Sequence, residues 1–266
     1  MEIPVSKKVE NVIRAMDRIT LEEMDHVRLM RRRDIKYIVP TQTVPGLLEK
    51  INDKYRVLEI DGERIHPYST LYYDTPELSM YHAHHNRRMN RYKVRIRRYV
   101  TSNLSFFEVK YKNNRGETIK RRIRPGEKDD ITGEKSVKFL GENSPYKVNE
   151  LQPALENYFK RITLVHHTIP ERITIDLELH YNHVDGLRNL QLPGFSVIEI
   201  KRDRDAIQSY MIDQLRKNHI QPVGFSKYCL GTAMMVPSVK NNLFMKRMRQ
   251  IEKFDLSYWN SEKHTI

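Results

Sequence analysis

The chain has 266 residues, 39% of them hydrophobic, with 47 Lys plus Arg against 34 Asp plus Glu and a formal net charge of +13. The apolar fraction, with 15 Tyr and 8 Phe, excludes a disordered chain. The lone Cys229 excludes an internal disulfide or a cysteine-based metal cluster and points to a reducing compartment. No stretch nears the ~18 consecutive apolar residues of a membrane span, and the opening MEIPVSKKVENVIRAMD lacks the apolar run of a secretory signal, so a soluble cytosolic protein is expected. The positive excess suits a polyanionic partner, whether nucleic acid, anionic membrane or phosphorylated small molecule, and equally suits surface lysine kept for solubility.

Val9, Val12, Ile13 and Met16 fall on one helical stripe, and Thr20 followed by Glu23 has the spacing of a capping box that opens a second short helix. Residues 1–30 are therefore expected to form a helical packing segment. From Arg32 the pattern turns to period two, in blocks bounded by Gly, Pro and Asn, which is the grammar of a β-rich domain. Ile35, Tyr37 and Val39 oppose Arg32, Asp34 and Lys36, because side chains alternate faces along a strand. Tyr92, Val94 and Ile96 oppose Lys93, Arg95 and Arg97; Phe107, Val109 and Tyr111 oppose Glu108, Lys110 and Lys112. Thr118, Lys120, Arg122 and Arg124 share a face, with Ile119 and Ile123 opposite. Ile173, Ile175, Leu177 and Leu179 oppose Arg172, Thr174, Asp176, Glu178 and His180, and Glu199 and Lys201 oppose Ile198 and Ile200.

Each block is apolar on one side and densely charged on the other. Either the charged faces point outward around an apolar core, or the sheet closes so that they line a lumen and the apolar faces pack outward under helices. Covering helices are predicted at residues 43–55, with Leu47, Leu48 and Ile51, and at residues 203–218, with Ile207, Met211, Ile212 and Leu215. Pattern alone leaves both architectures open.

The sequence has no P-loop, G-x-G-x-x-G, H-E-x-x-H or C-x-x-C, and with 10 Gly any phosphate would have to be bound by side chains. His84 and His85, followed by Arg87 and Arg88, are expected in a solvated loop, and His166 and His167 as turn spacers. Aromatic residues do not interleave with basic ones as a base-stacking platform requires, which argues against nucleic acid. In the tail, residues 237–266, Lys240, Lys246, Arg247, Arg249 and Lys253 accompany Val239, Leu243, Phe244, Ile251 and Phe254. That is a basic amphipathic helix, suited to peripheral docking on a membrane or membrane-protein partner, or to packing on its own domain.

The run RRDIKYIV through Lys36 and Tyr37, STLYYDTPEL at 69–78, YKVRIRRY at 92–99 and FFEVKYK at 106–112 resembles the catalytic domain of the vacuolar transporter chaperone (VTC) polyphosphate polymerases. The order continues with GETIKRRI at 116–123, FKRITL around Arg161, ERITIDLEL at 171–179, FSVIEIK at 195–201 and GFSKY at 224–228. This likeness, over about residues 30–235, implies a triphosphate tunnel metalloenzyme of the CYTH-like superfamily. The implied fold is α+β, an eight-stranded antiparallel β tunnel barrel with a charged lumen, covered by helices. It implies a catalytic domain at 31–236 between the helical segment and the tail, with ATP and inorganic polyphosphate as partners and Mn²⁺ or Mg²⁺ as cofactor.

By position, the resemblance implies that Lys36, Arg95, Arg97, Lys110 and Arg161 bind nucleotide phosphates or the product chain, that Lys227 is the basic residue of the closing helix, and that Glu199 holds the metal. Lys120, Arg122, Arg172 and Lys201 on the charged faces are expected to bind substrate, and Glu178 and Glu108 to be further metal candidates. Two departures stand out. The wider superfamily opens with Glu-x-Glu-x-Lys, where this chain has Arg32, Asp34 and Lys36; VTC domains also lack the first glutamate. The VTC pattern has a lysine three positions before Lys227, where this chain has Gly224.

These residue types suit the chemistry. Phosphoryl transfer needs positioning and charge neutralisation more than covalent help, and arginine forks bind two phosphate oxygens at once. Alternate residues such as Arg95 and Arg97 sit roughly 6.5–7 Å apart on one strand face, which matches successive phosphates. A hard divalent ion prefers carboxylate oxygen. The expected reaction is transfer of the γ-phosphoryl group of ATP to a growing polyphosphate chain with release of ADP. The alternatives are a tri- or nucleoside triphosphatase of the same fold and a non-catalytic sensor of polyphosphate or inositol polyphosphate.

Overall fold

The computed structural model describes residues 3–26, 32–126, 130–203 and 208–263. The expected domain boundary at 30/31 and the helical position Ile207 lie outside these. Helix α1 (Val5–Ala15) buries Val9 and Ile13, one turn apart on its stripe. A two-residue strand β1 (Arg18–Ile19) leads to α2 (Leu21–His26). The capping box that opens α2 is formed: Glu23 N donates to Thr20 Oγ1 at 3.2 Å and Thr20 N donates to Glu23 Oε2 at 2.8 Å.

Strand β2 (Arg32–Pro40) is followed by α3 (Val44–Glu49) and β3 (Tyr55–Leu58). The helix expected over 43–55 is thus one short helix; Ile51 is still fully buried but lies in the turn, where Lys54 N donates to its carbonyl. Strand β4 (His66–Asp74), helix α4 (Ser79–His85) and the meander β5 (Arg91–Tyr99), β6 (Leu104–Lys112) and β7 (Thr118–Ile123) come next. Helix α5 (Glu134–Asn143) precedes the two longest strands, β8 (Gln152–His166) and β9 (Glu171–His183), then β10 (Asn189–Leu192) and β11 (Phe195–Asp203). The chain ends in α6 (Tyr210–Lys217), α7 (Lys227–Met235) and α8 (Met245–Lys263).

Eight strands form one antiparallel path in the order β2-β11-β9-β8-β4-β5-β6-β7, with β1, β3 and β10 appended. The sheet curls into a half-barrel whose path ends at β2 and β7. Its outer face is the apolar one. Tyr37, Val39, Ile162, Leu164, Ile173, Ile175, Ile198 and Ile200 pack with Val9 and Ile13 of α1, Leu47 and Leu48 of α3, and Met211 and Leu215 of α6. Val94, Ile96, Phe107 and Val109 pack with Phe139 and Leu140 of α5. Each such side chain, once fully buried, contributes ~1.5–3 kcal/mol, so the helices hold the apolar faces outward and the charged faces are left lining the concave side.

The concave side is not charged throughout. Toward one end Tyr72, Leu155, Leu179, Tyr181 and Val197 line it, and α7 packs against them through Tyr228, Leu230 and Ala233. Gly231 permits this approach: a Cβ there would lie 2.5 Å from Tyr181 Cδ1 and 2.7 Å from Leu155 Cδ2. The tail then folds back onto the same cluster. Val239 and Ile251 are buried and Phe244, Met248 and Phe254 pack beside them, so the apolar side of the basic helix covers its own domain. No helix among the described residues is long and apolar enough to cross a membrane.

Candidate active site

Strand register sets the charged side chains in rows. Across β5, β6 and β7 one row is Lys93, Lys110 and Lys120, and the next is Arg95, Glu108 and Arg122. Arg97 follows, opposite Thr70 of β4. On the other wall Lys36, Glu199 and Thr174 form a row across β2, β11 and β9, flanked by Asp34, Lys201 and Arg172 on one side and by Val197, Asp176 and Arg161 on the other.

Three carboxylates hold these cations in place. Glu108, nearly fully buried, binds Arg95 Nη2 at 2.6 Å, Lys120 Nζ at 2.5 Å and Arg97 Nη2 at 3.8 Å. Burial pushes its carboxyl up, but Arg95, Arg97 and Lys120 together outweigh this and hold it well below the usual carboxylate range. Asp176 accepts a bidentate pair from Arg161, Nε to Oδ1 at 2.6 Å and Nη2 to Oδ2 at 2.9 Å, and a further bond from Lys227. It is buried and held low by Arg161 and Lys227 in the same way. Glu199 pairs with Lys201 and, at 3.7 Å, with Lys36.

The segment leading into α7 closes the site. Val223 N donates to Lys36 O at 2.7 Å, Lys36 Nζ to Phe225 O at 3.3 Å, and Lys93 Nζ to Ser226 Oγ at 2.8 Å. Ser226 is also the N-cap of α7, accepting from Cys229 N. The same few residues thereby join β2 to β5 across the concavity and fix Lys227, whose ammonium also lies 4.4 Å from the Phe159 ring centroid.

Cations exceed anions in this space, and the lysines show it. Burial and mutual repulsion push Lys93, Lys120 and Lys227 down to about 8, and Lys110, beside Lys36 and Lys93, to about 7. Among the described residues Lys110 has no ion-pair partner. Three inward polar atoms, Arg97 Nε, Thr70 Oγ1 and Thr174 Oγ1, are buried without a hydrogen-bond partner, so donors stand ready for an anion.

The structure thus brings together Lys36, Arg95, Arg97, Lys110, Lys120, Arg161, Lys201, Lys227, Glu108 and Glu199, with Arg172 at the Lys201 end. Arg122 lies at the exposed margin on β7, its guanidinium 4.5 Å from the Phe106 ring centroid. A cavity of about 510 Å³ beside it, lined by Arg121, Phe139, Glu142 and Asn143, opens toward α5 and takes in none of the charged rows beyond Arg122.

Glu178, expected on the charged face, is not there. Tyr158 pairs with His180 but Lys160 pairs with Leu177, so β9 carries a bulge in which Glu178 and Leu179 oppose Phe159 alone. Glu178 takes a left-handed φ of 51° and points out, 46% exposed, to Lys160 at 2.8 Å. Beyond the bulge the faces exchange, and Leu179 and Tyr181 rather than Glu178 and His180 face inward. The histidines also differ from expectation. His85 is buried and its Nε2 accepts from Leu243 N at 3.3 Å, while His166 is buried with Nδ1 accepting from Thr168 N and Ile169 N. Asp176 and Lys93, which sequence reasoning placed on charged faces without assigning a role, are central.

Among the described residues no three His, Cys, Asp or Glu side chains cluster as a metal cage. Glu108 and Asp176 are nearly fully buried beneath their cations, whereas Glu199, though paired with Lys201 and Lys36, keeps its side chain 18% exposed beside Thr174 and is the one of the three open to a further ligand. A hard divalent ion held by one carboxylate and otherwise by phosphate oxygens and water fits this donor set; a site built from protein ligands alone does not.

No curated protein sequence matches the chain. In fold it is similar to the PH1819 protein of Pyrococcus horikoshii, with TM-score 0.42 and 15% identity over 74% of this chain and 95% of that one. It is also similar to a Hippeastrum protein described by a dominant triphosphatase activity, with TM-score 0.46 and 14% identity over 77% of this chain and 96% of that one. The VTC domain model matches residues 31–236, the span that contains the whole half-barrel and its charged rows, and the chain belongs to the VTC domain family.

Proposed function

We propose that this protein is a polyphosphate polymerase that transfers the γ-phosphoryl group of ATP to the end of a polyphosphate chain. The observation that carries this is the row Lys93, Lys110 and Lys120, three like charges in register on adjacent strands; of these lysines Glu108 of the next row pairs with Lys120 alone, and the like charge that remains on Lys93 and Lys110 favours an anion there. Arg95 and Arg97 lie alongside on the same face, and Lys36, Arg161 and Lys227 face them from the opposite wall and from α7, the plug helix of the concavity. Such a surface neutralises the charge of a phosphate chain over several residues and holds two chains end to end.

In the reaction a terminal oxygen of the polyphosphate attacks the γ-phosphorus, the bond from that phosphorus to the β–γ bridging oxygen breaks, and ADP leaves. The attacking oxygen is already anionic, so no protein base is required. Glu199 would supply the carboxylate for Mn²⁺ or Mg²⁺, which when bound neutralises charge on the phosphate oxygens. The arginines orient the reacting groups and, with the buried walls, limit access of water.

Purified protein incubated with ATP, Mn²⁺ and a short polyphosphate primer is expected to give a ladder of polyphosphate on a gel together with ADP. Glu199→Gln is expected to abolish the ladder. Phosphate release without chain growth would instead identify a triphosphatase, and binding without ADP or phosphate release a sensor; either result overturns the polymerase.

A further inference from the structure

We propose that His84 is a phosphate-binding residue that takes up a proton when a phosphate chain enters the half-barrel and then donates from Nδ1 to one of its oxygens. The inference rests on the functional reading above, since it needs a phosphate chain as ligand.

His84 stands near the C-terminal end of α4, a helix packed against both β5 and α7. Its ring packs on Phe244, centroids 6.2 Å apart, and its Nδ1 is buried without a hydrogen-bond partner. His66, His166 and His180 also carry a buried ring nitrogen without a partner; His84 differs from them in lying beside cations of the charged rows. The charged groups that act on it most strongly are cations: Lys93 and Arg91 from β5, Lys112 from β6 and Lys36 from β2. Two of these, Lys36 and Lys93, are the residues that clasp the segment before α7.

The other titratable neighbours do not counter that charge. On α4 itself are Tyr81, His82 and His85. From α7 come Tyr228 and Cys229, both with acidities suppressed by burial. Asp74 of β4 sits at the opposite end of α4, where it accepts from Met80 N, Tyr81 N and Tyr228. His84 is therefore neutral in the free protein, its pKa driven down to about 2 by burial and by the four cations.

An entering phosphate chain reverses this field. Negative charge brought beside the ring favours its protonated form, and it also neutralises the lysines that repel the proton. The imidazolium becomes the stable form, and its Nδ1–H gains the partner the free protein lacks. In effect His84 stays silent until the cations beside it are compensated.

The test is calorimetric titration of inorganic tripolyphosphate into the full chain at about pH 6, in two buffers of different ionisation enthalpy. His84→Gln and His84→Phe serve as variants, with thermal melts confirming the fold. His84 is neutral when free, so neither variant changes the charge of the empty site, and proton uptake by the lysines is common to all three proteins. Wild type is expected to take up about half to one proton more than either variant. The variants are expected to bind ~10-fold more weakly at pH 6 and within about 2-fold of wild type at pH 8, the signature of a charge-assisted donor present only when protonated. Equal uptake in all three proteins, or equal weakening at both pH values, overturns the assignment of His84 while leaving the phosphate site standing. Failure of wild type itself to bind tripolyphosphate overturns both readings, and is told apart because it needs no variant.

Discussion

Lys227, the first residue of α7, donates its ammonium proton to the same Asp176 oxygen that accepts from Arg161 Nη2. One carboxylate on the wall thus holds both an arginine of the neighbouring strand and the helix that closes the site. Stability and the proposed phosphate binding meet at Asp176.

Asp176→Asn keeps the shape and removes the charge, leaving Arg161 and Lys227 facing each other in a buried space. Breaking a buried pair in this way costs ~3–5 kcal/mol, and urea denaturation is expected to show a loss of that order. Tripolyphosphate supplies the missing anion, so adding it should recover more stability in Asp176→Asn than in wild type, by the linkage between binding and folding. An equal response of the two proteins would show that the pair does not face the ligand.

The lysines give opposite pH signatures for folding and for binding. Lys110, held at about 7, and Lys93, Lys120 and Lys227, held at about 8, bind fewer protons in the folded protein than in the unfolded one, where lysine titrates near its ordinary value. Between about pH 7 and 10 the unfolded state holds the extra protons, so the contribution of these groups to stability rises with pH. Affinity for tripolyphosphate runs the other way, falling over the same window as the ammonium groups discharge. Melting and binding measured on one preparation from pH 6.5 to 9.5 would check both directions at once.

Glu178→Gln is expected to leave stability and any turnover unchanged, because its partner Lys160 is an exposed cation half in solvent and such pairs contribute ~0–1 kcal/mol. Glu199→Gln is expected to abolish turnover while the fold persists. A loss of activity in Glu178→Gln comparable to that in Glu199→Gln would contradict the bulge.

Gly231→Ala puts a methyl group into the Tyr181 ring and Leu155 Cδ2, both fully packed. Overpacking of this kind costs ~1–3 kcal/mol, and any relief by retreat of α7 carries Lys227 away from Asp176. The melting temperature and the affinity for tripolyphosphate should fall together.

Gly224→Lys tests the departure from the VTC pattern. A Cβ at Gly224 meets nothing within 4 Å and the residue has no left-handed φ, so the side chain can be built without strain. It would add a cation to the segment that already places Lys36 and Lys93, and affinity for tripolyphosphate is expected to rise about 3- to 10-fold at low salt.

Much of this was legible in the residues themselves. The charged strands β2, β5, β6, β7 and β11 alternate over their charged stretches because one face there is apolar and the other carries Lys, Arg, Asp and Glu; only at one end do Ile38 and Val197 join the apolar cluster under α7. Strands β4 and β8 gave no such alternation, since Tyr72 and Leu155 face the plug helix while Tyr73 and Ile162 face the outer core, and apolar contact on both faces erases the period of two. Glu178 was misplaced for a different reason. A bulge shifts the face of every residue after it, and nothing in ITIDLELHY announces one. Asp176 was visible on a charged face, but its importance depends on Lys227, fifty-one residues later, and such a meeting is made by packing rather than by spacing. His85 is a similar case, since its burial is set by Leu243 from the far end of the chain.

Glu108 on one wall of the half-barrel and Asp176 and Glu199 on the other each engage at least two cations. They act as internal counter-ions for a surface otherwise lined by cations. A half-barrel lined by cations alone would have to assemble around its ligand, and a newly made chain would wait for one. With these three acids built in, the walls come together on their own, and the protein emerges from synthesis with its arginines already aimed.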